Sequence, residues 1–170
     1  MFLNYIKEFF VKKSLNVNLN NEKSEVFIKN VQTIGLLIDE SNFEYSEALI
    51  KELTLHGIAS ENIKVVAYKG KFKEKEVYSR PTFSEKHINW KGEITEAFLN
   101  EFVNSKFDLL LSYYNVENNI LMLITSKSKA KFKIGFSAVD QRLNRLMIST
   151  ELGNYKLFVS ELFRYLKNIK

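Results

Sequence analysis

Four lysines alternate with other residues in the stretch SKSKAKFKIGF (126–136): Lys127, Lys129, Lys131 and Lys133. Ammonium groups at that spacing can grip phosphates, because lysine neutralises a backbone phosphate without reading a base. Arg142 and Arg145 extend this run against Asp140 alone. A second basic run, KGKFKEKEVYSRPTFSEKHINWKG (69–92), sets Lys69, Lys71, Lys73, Lys75, Arg80, Lys86 and Lys91 against Glu74, Glu76 and Glu85. Phe72, Tyr78, Phe83 and Trp90 interleave with those charges. Aromatic rings at such positions can stack on unpaired bases. Any one of these lysines reads as the solvated side of a strand or helix. The two regions taken with the long loop point to a polyanion. The expectation is RNA, ribosomal RNA with neighbouring ribosomal proteins in particular, and no reading of DNA sequence. Its contacts are Lys69, Lys71, Lys73, Lys75, Arg80, Lys127, Lys129, Lys131, Lys133, Arg142 and Arg145, with Trp90, Phe83 or Tyr78 stacking.

Other chemistry has less to stand on. Asp39 and Glu40 in DESN (39–42) are the one candidate carboxylate pair. Neighbours on a strand point to opposite faces, so the two do not converge without a turn. An acidic, cap-rich junction between a strand and a helix accounts for them, since anionic groups suit a helix N-terminus. There is no GxGxxG and no GxxxxGK[ST], and the six glycines do not cluster, which argues against a phosphate cradle. Two histidines without a partner at ligand or triad spacing, and no cysteine, argue against a metal centre or a nucleophile relay. The expectation is therefore a non-enzymatic protein with no catalytic residue, metal or cofactor. The alternative is a small-molecule site for a sugar or nucleotide, built from Asp39, Ser41, Asn42, Tyr113 and Asn115.

These residues need a scaffold, and the chain alternates in a way that supplies one. TIGLLID (33–39), IKVVAY (63–68), FDLLLSY (107–113) and 132–136 are short apolar runs, read as buried strands, with a further short strand at 145–149. Between them, 42–56, 94–104 and 115–126 carry helical spacing, and 155–169 closes the chain as a helix. The alternation implies an α/β fold: a three-layer Rossmann-like domain with a mostly parallel sheet. The long loop at 69–92 holds the only proline and breaks the rhythm, with a short extended piece expected at 77–78. Lys127 and Lys129 finish a helix and Lys131 and Lys133 enter the next strand. The positive corner then lies at the amino end of that strand, away from the crevice at the carboxyl ends.

At 170 residues, 45% apolar and 26% charged, the chain has the composition of one globular domain, and its net charge is +5. The expected organisation is an N-terminal amphipathic helix and connector over 1–30 and a single Rossmann-like domain over 31–170. The helix runs over 2–15 with Phe2, Tyr5, Ile6, Phe9 and Phe10 on one side, and it is expected to pack on the domain. Its basic pair follows the apolar residues, the reverse of a secretory signal, and no apolar run reaches the length of a membrane span. Together with the absence of cysteine this gives a cytoplasmic protein as the expectation.

TIGLLIDESN, KFDLLLSYYNVENN, SKAKFKIGF and LMIST together resemble a family of short bacterial proteins defined only as a domain of unknown function. The resemblance covers most of the chain from Thr33 and implies no activity. KFDLLLSYYNVENNILMLITSKSKAKFKIGF also looks like the strand–helix–strand unit in the N-terminal half of heptosyltransferase-like glycosyltransferases. That likeness implies a Rossmann-like fold. DESN stands where those enzymes have a glycine- and threonine-rich loop, and no carboxylate here matches their catalytic context.

Overall fold

Branched, apolar residues fill β1 (Ile34–Asp39), and all six of its residues are buried, as a strand covered on both faces requires. The computed structural model of the chain describes residues 8, 9, 11–13 and 30–168. After β1 come α1 (Ser46–Leu55), β2 (Ile63–Tyr68), β3 (Thr82–Phe83), α2 (Ala97–Asn104) and β4 (Leu109–Tyr113). Then follow α3 (Asn119–Lys127), β5 (Phe132–Phe136), β6 (Leu146–Ile148) and α4 (Tyr155–Asn168). The six strands form one sheet in the order β3-β2-β1-β4-β5-β6, and every pair in it is parallel.

The two-residue period of the strands sorts the core into two layers. Ile34, Leu36 and Ile38 of β1 join Leu109 and Leu111 of β4 beneath α1 and α4. Leu37 and Leu110 face the other way and pack with Leu99, Phe102, Leu121 and Ile124 of α2 and α3. The crossovers leading outward from β1 and from β4 thus lie on opposite faces. Right-handed connections require that when the strand order reverses. The reversal falls between β1 and β4, which opens a crevice at their carboxyl ends. Gly35 allows the fold at one tight point, because a Cβ there would stand 2.5 Å from the Phe107 ring.

Three details differ from the expected elements. The extended piece in the loop is Thr82–Phe83 and not 77–78, where Val77 is 96% exposed. Pro81 explains its start: its carbonyl accepts from the Ala67 N–H at 3.0 Å, but it has no N–H to carry the ladder further back. The helix expected from 115 begins at Asn119, because the Asn118 side chain accepts from the Ile120 and Leu121 N–H groups at 2.9 and 3.2 Å. The helix expected from 94 begins at Ala97, and Ile94 instead bridges to Ile88.

Residues 8, 9 and 11–13 are helical, with Val11 buried in the layer beneath α2 and α3. Asn119 donates to Glu8 at 3.4 Å, so this piece packs on the domain near the start of α3. The rest of the expected helix over 2–15, and the connector after it, lie outside the described residues. Among the described residues no helix is long and apolar enough to cross a membrane.

Candidate nucleic-acid interface and the crevice at the strand ends

The basic loop leaves β2 at the carboxyl edge of the sheet. The Gly70 N–H donates to Ser41 Oγ at 2.8 Å, which ties the loop to the turn after β1. Phe72 stacks on Tyr78 with centroids 5.2 Å apart, and His87 meets Phe72 edge-on. The Tyr78 hydroxyl accepts from the Lys73 N–H at 2.9 Å, and the Lys69 ammonium lies 5.3 Å from the Tyr78 ring centre. The Ser84 N–H donates to His87 Nδ1 at 3.0 Å, so the neutral imidazole carries its proton on Nε2.

Arg80 fastens the same loop from below. Only 11% of its side chain is exposed. Its Nε lies 3.1 Å from the Glu40 carboxylate, close enough for the charges to attract though not aligned for a hydrogen bond. A terminal nitrogen donates to Glu47. The guanidinium is thus neutralised by the acidic junction between β1 and α1. Phe83 is fully buried and Tyr78 is held in its stack, so neither presents a free ring to a base. Trp90 is 49% exposed, with the Lys91 ammonium 5.2 Å over its ring. Lys71, Lys73 and Lys75 are exposed and have no carboxylate partner among the described residues.

The alternating lysines lie at the opposite edge. Lys127 ends α3, where a cation suits the exposed carbonyls. The backbone N–H groups of Lys129 and Lys131 donate to the Val103 and Phe107 carbonyls, each at 2.8 Å, which places them at the amino end of β5. Lys131 pairs with Asp108 at 2.8 Å. Lys133 is only 5% exposed, against the surface position expected of it. It faces the layer beneath α3, and its ammonium donates to the Ser126 carbonyl at 3.3 Å near the end of that helix. The strand period explains this, because both faces of a central strand are covered. Arg142 grips Asp140 with two nitrogens, at 3.1 and 2.7 Å, which holds the Asp140 carboxyl below the usual carboxylate range. Arg145 is exposed near the start of β6, its N–H donating to the Lys133 carbonyl at 2.8 Å. The loop lysines and the lysines at the amino end of β5 are therefore separated by the length of a strand, roughly 17–20 Å.

The crevice residues divide in the same way. Asp39 accepts from the Ser41 N–H at 3.0 Å and from the Asn42 amide at 2.7 Å, closing its own turn. Tyr113 points to the other face of the sheet, among Phe43, Phe136 and Phe158, and donates to the Leu152 carbonyl at 2.7 Å. Burial raises its phenol above the ordinary value. Asn115 is half-buried where β4 ends. A cleft of about 280 Å³ does open at this edge, but its walls include Glu8, Tyr68, Glu85, Asn118 and Asn119. None of the five residues expected in a small-molecule site lines it. Its one legible signal was Asn118, a cap residue standing before the apolar run ILMLIT. Among the described residues no group of three or more His, Asp or Glu side chains could hold a metal ion.

The chain belongs to a family of unknown function, DUF6913, whose family model matches residues 7–169. No curated protein matches it. No solved structure matches it either.

Proposed function

We propose that the protein is a non-enzymatic RNA-binding protein, with ribosomal RNA as its partner. The observation that carries this reading is the loop at the carboxyl edge. Lys71, Lys73 and Lys75 stand there exposed and without carboxylate partners among the described residues, on the same loop as the half-exposed Trp90. Phosphates meet the ammonium groups and an unpaired base stacks on the indole. The loop is held from inside by Arg80 and by the Phe72–Tyr78 stack, so its lysines are presented on a fixed base. Lys127 and Lys129 form a second, separate contact at the amino edge, available to a partner large enough to reach both.

The test is binding to RNA and co-sedimentation with ribosomes over a salt series. Each phosphate contact contributes about 0.7 to 0.9 to the slope of log K against log salt. Changing Lys71, Lys73 and Lys75 together to Gln is expected to flatten that slope by about 2. Trp90→Ala weakens binding to single strands by about 1–3 kcal/mol at any salt. Native protein that stays free of RNA and ribosomes at low salt refutes the proposal.

One observation favours a second reading. The strand order reverses between β1 and β4, and that geometry forms the crevice in which sheets of this kind hold ligands. A sugar or nucleotide bound in the cleft at that edge, against Asn118 and Asn119, would raise the melting temperature, and more so the tighter it binds. Nucleotide sugars that leave the melting temperature unchanged exclude it.

A further inference from the structure

Among the described residues the sheet ends at β6, which has β5 on one side and no strand on the other. The outward backbone groups of an edge strand are a ready template for another strand. Beside this edge runs a groove of about 510 Å³, lined by Leu146 and Met147 of β6 and by Leu157, Glu161, Arg164 and Tyr165 of α4. Leu157 and Tyr165 are 42% and 41% exposed. The four α4 residues follow helical spacing along one stripe, distinct from Phe158, Val159 and Leu162, which pack in the core. Glu161 and Arg164 bind each other across one turn, so the stripe is electrically neutral in a chain of net charge +5. The lysine-rich edges would meet their own copies with like charge; this stripe would not.

We propose that this surface takes a second copy of the chain. β6 pairs antiparallel with β6 of the second copy, about a two-fold axis perpendicular to the sheet, and the sheet runs on through both copies. The same axis lays the two α4 helices side by side and antiparallel. A crossing centred between residues 162 and 163 sets Glu161 opposite Arg164 of the second copy, and the reverse. It also brings Tyr165 within a turn of Leu157 of the second copy. The stripe is thus self-complementary in charge and in apolar contact, which is what a two-fold interface demands of a single surface.

Sedimentation equilibrium on the full chain tests this, with circular dichroism confirming that each variant is folded. The native chain is expected at twice its 19.9 kDa mass. Glu161→Arg alone places a cation opposite Arg164 at each of the two contacts, and Arg164→Glu alone places a carboxylate opposite Glu161 at each. Each is expected to weaken self-association by more than about tenfold. Mixing the two variants restores opposite charges at both contacts and is expected to give a heterodimer. A native chain that remains monomeric up to about 100 μM overturns the proposal. So does a dimer that neither single substitution weakens, or a mixture that fails to associate.

Discussion

Asp108 joins the amino ends of three strands, and its removal has a calculable cost. One carboxylate oxygen accepts from the Gln32 N–H at 2.9 Å, the Thr33 N–H at 3.0 Å and the Thr33 hydroxyl at 3.2 Å. The other accepts from the Lys131 ammonium at 2.8 Å, and the Asp108 N–H returns a bond to the Thr33 hydroxyl at 3.0 Å. Burial raises the carboxyl pKa, but Lys131 and the two N–H groups outweigh it and hold the value at about 2. In Asp108→Ala the Gln32 N–H turns to water, since it is exposed, while the Thr33 groups are partly buried. At about 1 kcal/mol for each neutral bond and somewhat more for bonds to a charge, the loss is about 2–4 kcal/mol. The Lys131 pair adds little, because half of that side chain is in solvent. For a chain of this size the melting temperature should fall by roughly 5 to 12 °C. The pH dependence has a definite sign. The folded pKa lies below the unfolded value near 3.8, so the stabilisation is full above pH 4 and is lost as pH falls towards 2. By linkage it amounts to about 2 kcal/mol at most, reduced by the exposure of Lys131. Urea unfolding of the native chain and Asp108→Asn should therefore show a constant gap from neutral pH to about 4 that closes below it. An Asp108→Ala cost under about 0.5 kcal/mol, or a gap to Asp108→Asn unchanged at pH 2, would refute the reasoning.

Two further outcomes follow from the interior. The Thr125 hydroxyl donates to the Leu121 carbonyl at 2.9 Å, so it must accept from Ser112 at 3.1 Å and from Tyr114 at 2.8 Å. Thr125→Val leaves both of those buried hydroxyls without an acceptor and should cost about 2–4 kcal/mol in denaturant melts, whereas Thr125→Ser keeps the bonds and should cost much less. Arg80→Ala frees the carboxylates of Glu40 and Glu47 and unfastens the basic loop. Amide exchange over residues 69–92 should accelerate at least about tenfold, that is by about 1.4 kcal/mol of local opening, with the sheet amides of β1 and β4 unchanged.

Much of the fold was legible because strands covered on both faces leave a mark in the chain. TIGLLID, IKVVAY and FDLLLSY are short, mostly apolar runs, and all three became interior strands of a parallel sheet. Helix ends were less legible. Local caps decide them, and the bond from Asn118 to the start of α3 competes with several polar neighbours that could cap as well. The loop strand was misplaced because Val77 and Tyr78 have strand-like side chains, while the proline at 81 sets where the ladder can begin.

By itself the sequence determined the inventory: which charges exist, that no phosphate cradle or cysteine accompanies them, and that helices alternate with buried strands. It placed the lysine corner at the amino end of β5, but it could not tell which of these charges face water. Lys131 and Lys133 differ by two positions, yet one pairs with Asp108 at the edge and the other is buried under α3. Arg80 reads like its neighbouring lysines, yet it is neutralised by carboxylates more than thirty positions away. Packing made these differences. Placing β1 beside β2 brought the acidic turn beneath Arg80, and covering both faces of β5 buried Lys133. A linear charge pattern specifies how much charge a segment carries. Only the packing of distant segments decides which of it faces water.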